Sequence, residues 1–380
     1  MTGPNSGSEF AKYSNIDPYS GHMTVLRNVH VTDTEGNWNS ELVDVEFSAT
    51  ITSIRPASEP DNKTARFLVP GLIDTHLHLG EREKLVTALR SGLTTVLDLG
   101  THPDSRVHEL QADDALPAII SAGSAASAPG STQIEMMGFP AESGVTSPDD
   151  AKRFLDWRVD NGADLIKIIT EDPDAGEVPA LDIPTLVALV AGAHERGLLT
   201  VAHVVTAAAF DRGLEAGVDI LTHAPIDRPL DDCTLARMEE QGTIVSPTLV
   251  MMRAIADARL GEHADSAFGI ALNNVRAMID AGITVVAGTD ANETPFAPVA
   301  HGPSLHDEID YLITAGMTSA EAIRATTSSA AEALSLRDRG RIVEGARADL
   351  VLVDRDPLRN IGALRTPAEV WVAGVSRHRS

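Results

Sequence analysis

The run Phe67-Leu-Val-Pro-Gly-Leu-Ile-Asp-Thr-His-Leu-His-Leu-Gly80 decides how the rest of the chain is read. Its first half is apolar without a break, as a strand buried on both faces is. Its end carries two histidines one residue apart. In an extended strand residues i and i+2 point to the same side, so His76 and His78 present both imidazoles to one point in space. Imidazole is a common ligand of zinc and related metals. Two surface histidines at a strand end would look the same locally, so the weight falls on what the chain places at equivalent positions elsewhere.

Working outward, short apolar runs alternate with helical stretches from about Phe67 to Leu336, the signature of βαβ units and a parallel sheet. Strands are expected at 68–73, 94–99, 118–121, 164–169, 199–202, 219–222, 243–246 and 284–287. Helices intervene, among them 183–196, closed by Gly197, and 319–334, which opens after Thr318 with Glu321 three residues on as a capping box. Eight such repeats over roughly 270 residues fit an α/β fold of the (β/α)8 barrel type, usually ~250 residues long. A doubly wound open sheet is the competitor, but no Gly-x-Gly-x-x-Gly follows the first strand. Outside this run the pattern is β-like. Val25-Leu-Arg-Asn-Val29 and Val43-Asp-Val-Glu-Phe47 flank the turn-rich Asp33-Thr-Glu-Gly-Asn37, and 348–353 and 370–374 read as further strands. Residues 22–66 and 337–380 are therefore expected to pair into one small, discontinuous β-domain into which 67–336 is inserted.

Composition narrows the function classes. With 380 residues and 43% hydrophobic content, the chain can bury a large core. Thirty Lys and Arg against 55 Asp and Glu give a formal charge of −25, which repels phosphate backbones and anionic membranes. Nucleic acid and membrane partners are not expected. A well-solvated acidic surface, a small-molecule substrate and a cytoplasmic location are expected, and a homo-oligomer is compatible with the sequence. Cys233 is the single cysteine, so no intrachain disulfide can form, and it is read as a packed small residue. No run approaches the ~20 apolar residues of a membrane helix, and Met1–10 has no signal-peptide pattern. Gly7-Ser-Glu-Phe10 looks like a cloning scar, and about the first twenty residues are left out of the fold reading.

In a barrel the chemistry sits at the C-terminal ends of the strands. Those ends carry His76 and His78 (strand 1), Lys167 (strand 4), His203 (strand 5), His223 (strand 6) and Asp290, just past strand 8. Four of the thirteen histidines thus fall on strand tips, which occupy a small share of the chain. Each residue has an ordinary alternative. Lys167 sits in an apolar strand, where an ammonium is costly unless paired, for instance with Asp98 or Asp290. His203 and His223 could be hydrogen-bonded core histidines, and Asp290 could cap the segment after it. Taken together the six point to a metal site.

The chain resembles the amidohydrolase superfamily, specifically its imidazolonepropionase-like and prolidase-like branch. The likeness runs from about Met23 onward. It rests on Pro70-Gly-Leu-Ile-Asp-Thr-His-Leu-His78, Gly92-Leu-Thr-Thr-Val-Leu-Asp-Leu-Gly100, Gly162-Ala-Asp-Leu-Ile-Lys167, Ala216-Gly-Val-Asp-Ile-Leu-Thr-His223 and Gly288-Thr-Asp290. His301-Gly-Pro-Ser-Leu-His306 and Gly345-Ala-Arg-Ala-Asp-Leu-Val-Leu352 add to it. The resemblance implies a distorted barrel with a β-sandwich built from both termini, holding one or two divalent metals, with Zn2+ the expected ion. In the two-metal form, His76, His78 and Asp290 bind the first ion and His203 and His223 the second. Lys167 bridges them as a carboxylated lysine.

The mechanism this implies is attack by a metal-bridging hydroxide on an amide-type C–N bond, with Asp290 as general base and then acid. No Gly-x-Ser-x-Gly elbow supports a serine hydrolase. The family's usual His-Ala-His after strand 5 stands here as Ala202-His-Val-Val205, and the loop after strand 1 is short. Tyrosines occur only at 13, 19 and 311, which bears on the tyrosine that dipeptidase-like relatives set against a substrate carboxylate. Substrate contacts are expected from the loops after the strands. Met136, Met137 and Phe139, Met251 and Met252, and Phe296 would make an adaptable apolar pocket, unless they only pack the barrel top. Arg228 and Arg253 are candidate anchors for an anionic group, His301 and His306 are candidate supports for Asp290 or its loop, and His301 is also a candidate substrate contact. An N-acyl amino acid, dipeptide or related xenobiotic amide is the leading substrate class. Ester, lactone or organophosphate hydrolysis at the same site, a one-metal cyclic amidohydrolase or deaminase, and a catalytically silent barrel are the alternatives.

Overall fold

Gly71 divides the deciding run in two. The computed structural model describes residues 23–33, 35–174, 176 and 178–380, so the 7–10 stretch, Tyr13 and Tyr19 lie outside the described residues. In it the expected single strand 68–73 is the end of one strand, β4 (Arg66–Pro70), and the start of another, β5 (Leu72–Leu77). Gly71 carries the chain between two sheets. Its N–H donates to the Asp349 carbonyl at 2.8 Å, while the next N–H, of Leu72, donates to the Gly92 carbonyl at 3.0 Å. A Cβ on residue 71 would stand 2.1 Å from Thr94 Oγ1, so no other residue fits the crossing. The expected domain boundary at 67 therefore falls inside β4.

β4 belongs to a seven-stranded sheet drawn from both flanks of the chain. Its members are β1 (Thr24–Val31), β2 (Val43–Phe47), β3 (Ile51–Pro56), β4, β12 (Leu350–Val353), β13 (Glu369–Val372) and β14 (Val375–Arg379). Their order is β14-β13-β12-β4-β1-β2-β3. β4 runs parallel to β1 and antiparallel to β12, with Leu350 opposite Pro70 and Leu352 opposite Leu68. Two of these strands, β3 and β14, were not expected from the sequence. Most of their positions are exposed or half-buried, so they lack the alternation that marks the others.

The remaining strands form two parallel sheets. β5, β6 (Leu93–Asp98) and β7 (Ala118–Ser121) make the first. β8 (Ile166–Ile169), β9 (Thr200–His203), β10 (Ile220–Thr222) and β11 (Ile244–Ser246) make the second. Hydrogen bonds join the two on both sides. Beyond β7, Ala126 N donates to Lys167 O and Ile169 N to Ala126 O, each at 2.8 Å. Beyond β11, Val286 N donates to Val245 O at 2.9 Å, and Thr75 N on β5 donates to Ala287 O at 3.0 Å. The 284–287 segment thus takes the place of the eighth expected strand through bridges rather than as a regular strand. Thr75 and Ser246, from different sheets, meet at 2.9 Å through their hydroxyls. Because all these strands run one way, their C-terminal ends gather on one side of the molecule.

Helices pack outside the parallel strands through a continuous apolar core that includes Leu85, Leu89, Phe154, Leu189, Phe210, Leu249 and Leu312. Burying such a side chain stabilises the fold by about 1.5–3 kcal/mol. The helix Ile183–Glu195 follows its expectation, with Asp182 accepting from Thr185 N as N-cap and Gly197 in the left-handed region (φ 71°) after its end. The 319–334 helix does not run through. It begins with the expected Thr318–Glu321 capping box but stops at Ala325, and a second helix starts at Ser328. The hydroxyls of Thr326 and Thr327 turn back to the Ile323 carbonyl, and the carbonyls of Ala325 and Thr326 leave the helix to accept Ala287 N and Ile73 N. Cys233, expected to be packed, is exposed in the first turn of the helix Asp232–Gln241. Among the described residues no helix is long and apolar enough to cross a membrane.

Candidate metal centre

β5 ends in the first half of the site. His76 is buried, and its position is tied to the 289–290 segment through Asp74, two residues earlier. The Asp74 carboxylate accepts from His76 N (3.1 Å), Thr289 N (3.0 Å) and Thr289 Oγ1 (2.7 Å). Asp290 N then donates to His76 O at 2.7 Å. Asp290 itself is left-handed, at φ 54°, an unusual conformation for a residue with a Cβ. The turn brings its Oδ1 to 3.4 Å from His76 Nε2 and 3.1 Å from His78 Nε2.

The second half comes from β8, β9 and the end of β10. Lys167 is buried, and its ammonium donates to Thr222 Oγ1 at 3.0 Å. Asp98, one of its two candidate partners, is held instead by the hydroxyls of Thr101 and Ser121 at 2.6 and 2.5 Å. His223, at φ 78°, follows β10. Its Nε2 lies 2.8 Å from His203 Nδ1, and its Nδ1 lies 2.7 Å from Thr248 Oγ1. The halves meet ring to ring, with the His76 and His223 centroids 5.1 Å apart.

Burial sets the protonation of this cluster. The His76 imidazole is held well below its ordinary pKa, first by burial and then by repulsion from Lys167. His223 is lowered in the same way by burial and then by His203, and His203 is pushed down to about 3 by burial and Lys167. These are neutral imidazoles at pH 7, the form that donates to a metal. His78 goes the other way: burial lowers it, but its hydrogen bond to Asp290 and that carboxylate's charge more than offset the loss. Burial draws Lys167 down to about 7, against a smaller opposing pull from Asp290.

The donor set fits a divalent cation. Ligand atoms from His76, His223 and Asp290 all lie within 4.8 Å of one another. His76 Nδ1 is buried without a hydrogen-bond partner, and the buried Asp290 Oδ1 has only the imidazoles of His78 (3.1 Å) and His76 (3.4 Å) beside it, a donor arrangement that a cation would complete. His78 and His203 stand outside that trio but each lies 3.1 Å or less from one of its members.

The candidate substrate contacts are placed unevenly. Phe139 lies close to His78, since a Cβ on Gly100 would touch both His78 Cε1 (2.8 Å) and Phe139 Cζ (3.2 Å). Phe139 is also part of a small separate apolar cluster with Ala125 and Ile169. Met136, Met137 and Phe296 are exposed, the last beneath the Arg259 guanidinium at 5.3 Å. Met251 and Met252 are buried in the main core, on the packing alternative. Arg228 stands half-exposed at 3.9 Å from Asp227 and 4.0 Å from Asp211. Arg253 is engaged by Asp257 and Asp265 and lies over Phe268. His301 Nε2 is 2.7 Å from His78 O, so it supports the His78 backbone. His306 contacts Ser91 O, at the opposite end of β6 from the histidines, and Tyr311 packs edge-on to Phe268.

Asp74, Thr222 and Thr248 join the site without being among the residues expected from sequence. For Asp74 a signal existed, because Asp74, His76 and His78 share one face of an extended strand and a carboxylate is foreign to an apolar run. The threonines carry no local signal, since their partners are distant in sequence.

Residues 67–376 match the Amidohydrolase family, and the chain belongs to that family. An 86-residue stretch is 41% identical to imidazolonepropionase of Streptomyces griseus, covering 21% of this chain and 20% of that protein. The match therefore spans about a fifth of that relative's length. Among solved structures, a Xaa-Pro dipeptidase with methionine bound in its active site superimposes with a TM-score of 0.80 at 22% identity, over 94% of this chain and 100% of that one. A prolidase complexed with N-methylphosphonate-L-proline gives 0.78 at 22% identity, over 94% and 100%. At that identity the likeness is one of mixed α/β fold.

Proposed function

We propose that the protein is a metal-dependent hydrolase of amide-type C–N bonds. The observation that carries this reading is the gathering of His76, His223 and Asp290 at the strand ends, with one ligand atom of each within 4.8 Å of the others and His76 Nδ1 buried and unpartnered. Family membership and the dipeptidase and prolidase folds support it. Within the same reading, the two parallel sheets and the 284–291 segment are one distorted (β/α)8 barrel, and the seven-stranded sheet folds into a β-sandwich domain of residues 22–66 and 337–380, to which β4 is added. The free, exposed Cys233 suits a reducing, cytoplasmic setting.

His76, His78 and Asp290 would hold one divalent ion, for which Zn2+ is our choice, and His203 and His223 a second. When bound, such ions supply a Lewis acid and lower the pKa of a coordinated water, which serves amide cleavage without a serine or cysteine nucleophile. Lys167, with its pKa lowered to about 7 by burial, has a substantial free-amine fraction at neutral pH. A free amine adds CO2 and releases a proton to give a carbamate, which replaces an ammonium that burial disfavours with a two-oxygen anionic ligand between the two histidine groups. Asp290 would take the proton of the attacking water at its carboxylate and pass it to the departing amine nitrogen. The apolar cluster around Phe139 supports a substrate with an apolar group next to the scissile bond: an N-acyl amino acid, dipeptide or related amide.

Metal analysis of the purified protein, combined with a hydrolysis screen over N-acyl amino acids, dipeptides, lactones and phosphotriesters, tests the proposal. Bound divalent metal with turnover on amides is the expected result. A metal-free protein inactive after zinc loading would overturn it, and turnover confined to lactones or phosphotriesters would replace the substrate class.

A further inference from the structure

We infer that Thr248 and Glu308 are positioning residues that hold the ring of His223 with Nδ1 protonated, so that the Nε2 lone pair faces the shared site. The inference deepens the metal-centre reading and rests on it for its consequence, but not for its test.

Thr248 occupies the N-cap position of the helix Leu249–Arg259, where a threonine hydroxyl ordinarily accepts from an N–H of the first turn. Here it makes no such bond. The residue is left-handed (φ 46°, ψ 48°), a costly conformation for a β-branched side chain, and its hydroxyl is turned instead to His223 Nδ1 at 2.7 Å. Strain of this kind persists only where surrounding structure enforces it.

Glu308 provides the enforcement. It projects from the helix Pro303–Ala315, is fully buried, and its Oε2 accepts from Val250 N at 2.8 Å. It also accepts from Leu249 N. A side chain from another helix thus supplies the cap that Thr248 gives up. That frees the hydroxyl and fixes the first turn against which Thr248 is bent.

The direction of the His223 bond follows from its other nitrogen. Nε2 lies 2.8 Å from His203 Nδ1, and with Nδ1 taken by Thr248 it is the ring nitrogen left for the group that His223 forms with His76 and Asp290. With Nδ1–H donating to Thr248, Nε2 keeps its lone pair for His203 N–H or for a cation. The reverse tautomer would place a proton where the ion must sit. Such outer partners fix ring orientation and raise ligand basicity.

The test uses metal-free, 15N-labelled full chain, whose histidine nitrogen resonances report which ring nitrogen carries the proton, together with zinc affinity by chelator competition. Wild type should show His223 protonated on Nδ1. Thr248→Val, which removes only the hydroxyl at similar volume, should shift the ring toward the other tautomer and weaken zinc binding about 10- to 100-fold, while Thr248→Ser rescues both. Glu308→Leu should behave as Thr248→Val, and Glu308→Gln, which keeps an acceptor oxygen, as wild type. A wild-type His223 protonated on Nε2 overturns the inference, whatever the variants do. So does a Thr248→Val protein with unchanged tautomer and zinc affinity. A wild type that binds no zinc but shows Nδ1 protonated defeats the hydrolase reading and leaves the positioning intact.

Discussion

At the scale of single residues, the site combines groups that titrate far from their ordinary range with backbone conformations that favour glycine. Asp290, His223 and Thr248 all have positive φ, and all three carry side chains that meet at the histidine cluster. Two substitutions address the proposed roles. Lys167→Ala should lose bound metal and at least roughly 10³-fold in turnover, measured by metal content per chain and kcat; a fully active variant would remove the two-metal scheme. Asp290→Asn keeps an oxygen but cannot carry the proton, so kcat should fall by about 10²–10⁴-fold even where metal is retained, and a near-normal rate would place proton transfer elsewhere. Glu308 gives a pH prediction. Burial raises its carboxyl from 4.5 to about 8, so between those values the folded protein holds a proton that the unfolded chain has released. Its contribution to stability is complete below pH 4.5 and is lost as pH rises through 8. Glu308→Gln cannot ionise, so its urea midpoint should match wild type at low pH and exceed it at pH 9; parallel profiles would show that Glu308 does not titrate in this window. His76, His78, Lys167, His203 and His223 could be located from sequence because strand alternation and strand ends are local patterns. Asp74, Thr248 and Glu308 could not, since their meaning lies in partners such as Thr289, His223 and Val250 that only the closed fold brings near.

Among elements, the junction at Gly71 is the most demanding. Gly71→Ala would drive a methyl into Thr94, whose Oγ1, Cγ2 and Cβ stand 2.1, 2.5 and 2.7 Å from the new carbon. A loss of about 1–3 kcal/mol in chemical unfolding is expected, with partial recovery when Thr94→Gly is added; additive effects in the double variant would mean that strain arises elsewhere. The capping box is gentler, and Thr318→Ala should cost about 1 kcal/mol by the same measurement. Strand and helix identities were readable wherever burial imposed a period, as in β2, which alternates between buried and half-buried positions. They were misread where tertiary hydrogen bonds overrode it. The 67–73 stretch is apolar throughout, so nothing in its hydrophobicity marks the change of sheet, and the break after Ala325 depends on carbonyls claimed by Ile73 and Ala287.

For the molecule as a whole, the formal charge of −25 opposes compaction. Raising salt from about 0.1 to 1 M shortens the screening length from about 10 to 3 Å. The thermal midpoint should then rise by about 2–4 °C; a flat or falling midpoint in NaCl would show that local ion pairs outweigh the net repulsion. The seven-stranded sheet has a bearing on biosynthesis. β4 is flanked by β1, already translated when it emerges, and by β12, which leaves the ribosome only after the whole intervening chain. Through that interval one margin of β4 waits for its complement, and an open margin invites stray pairing in a nascent polypeptide. Pro70, which lacks an N–H, and the charged Arg66 sit at its two ends and make it a poor template for any partner but its own.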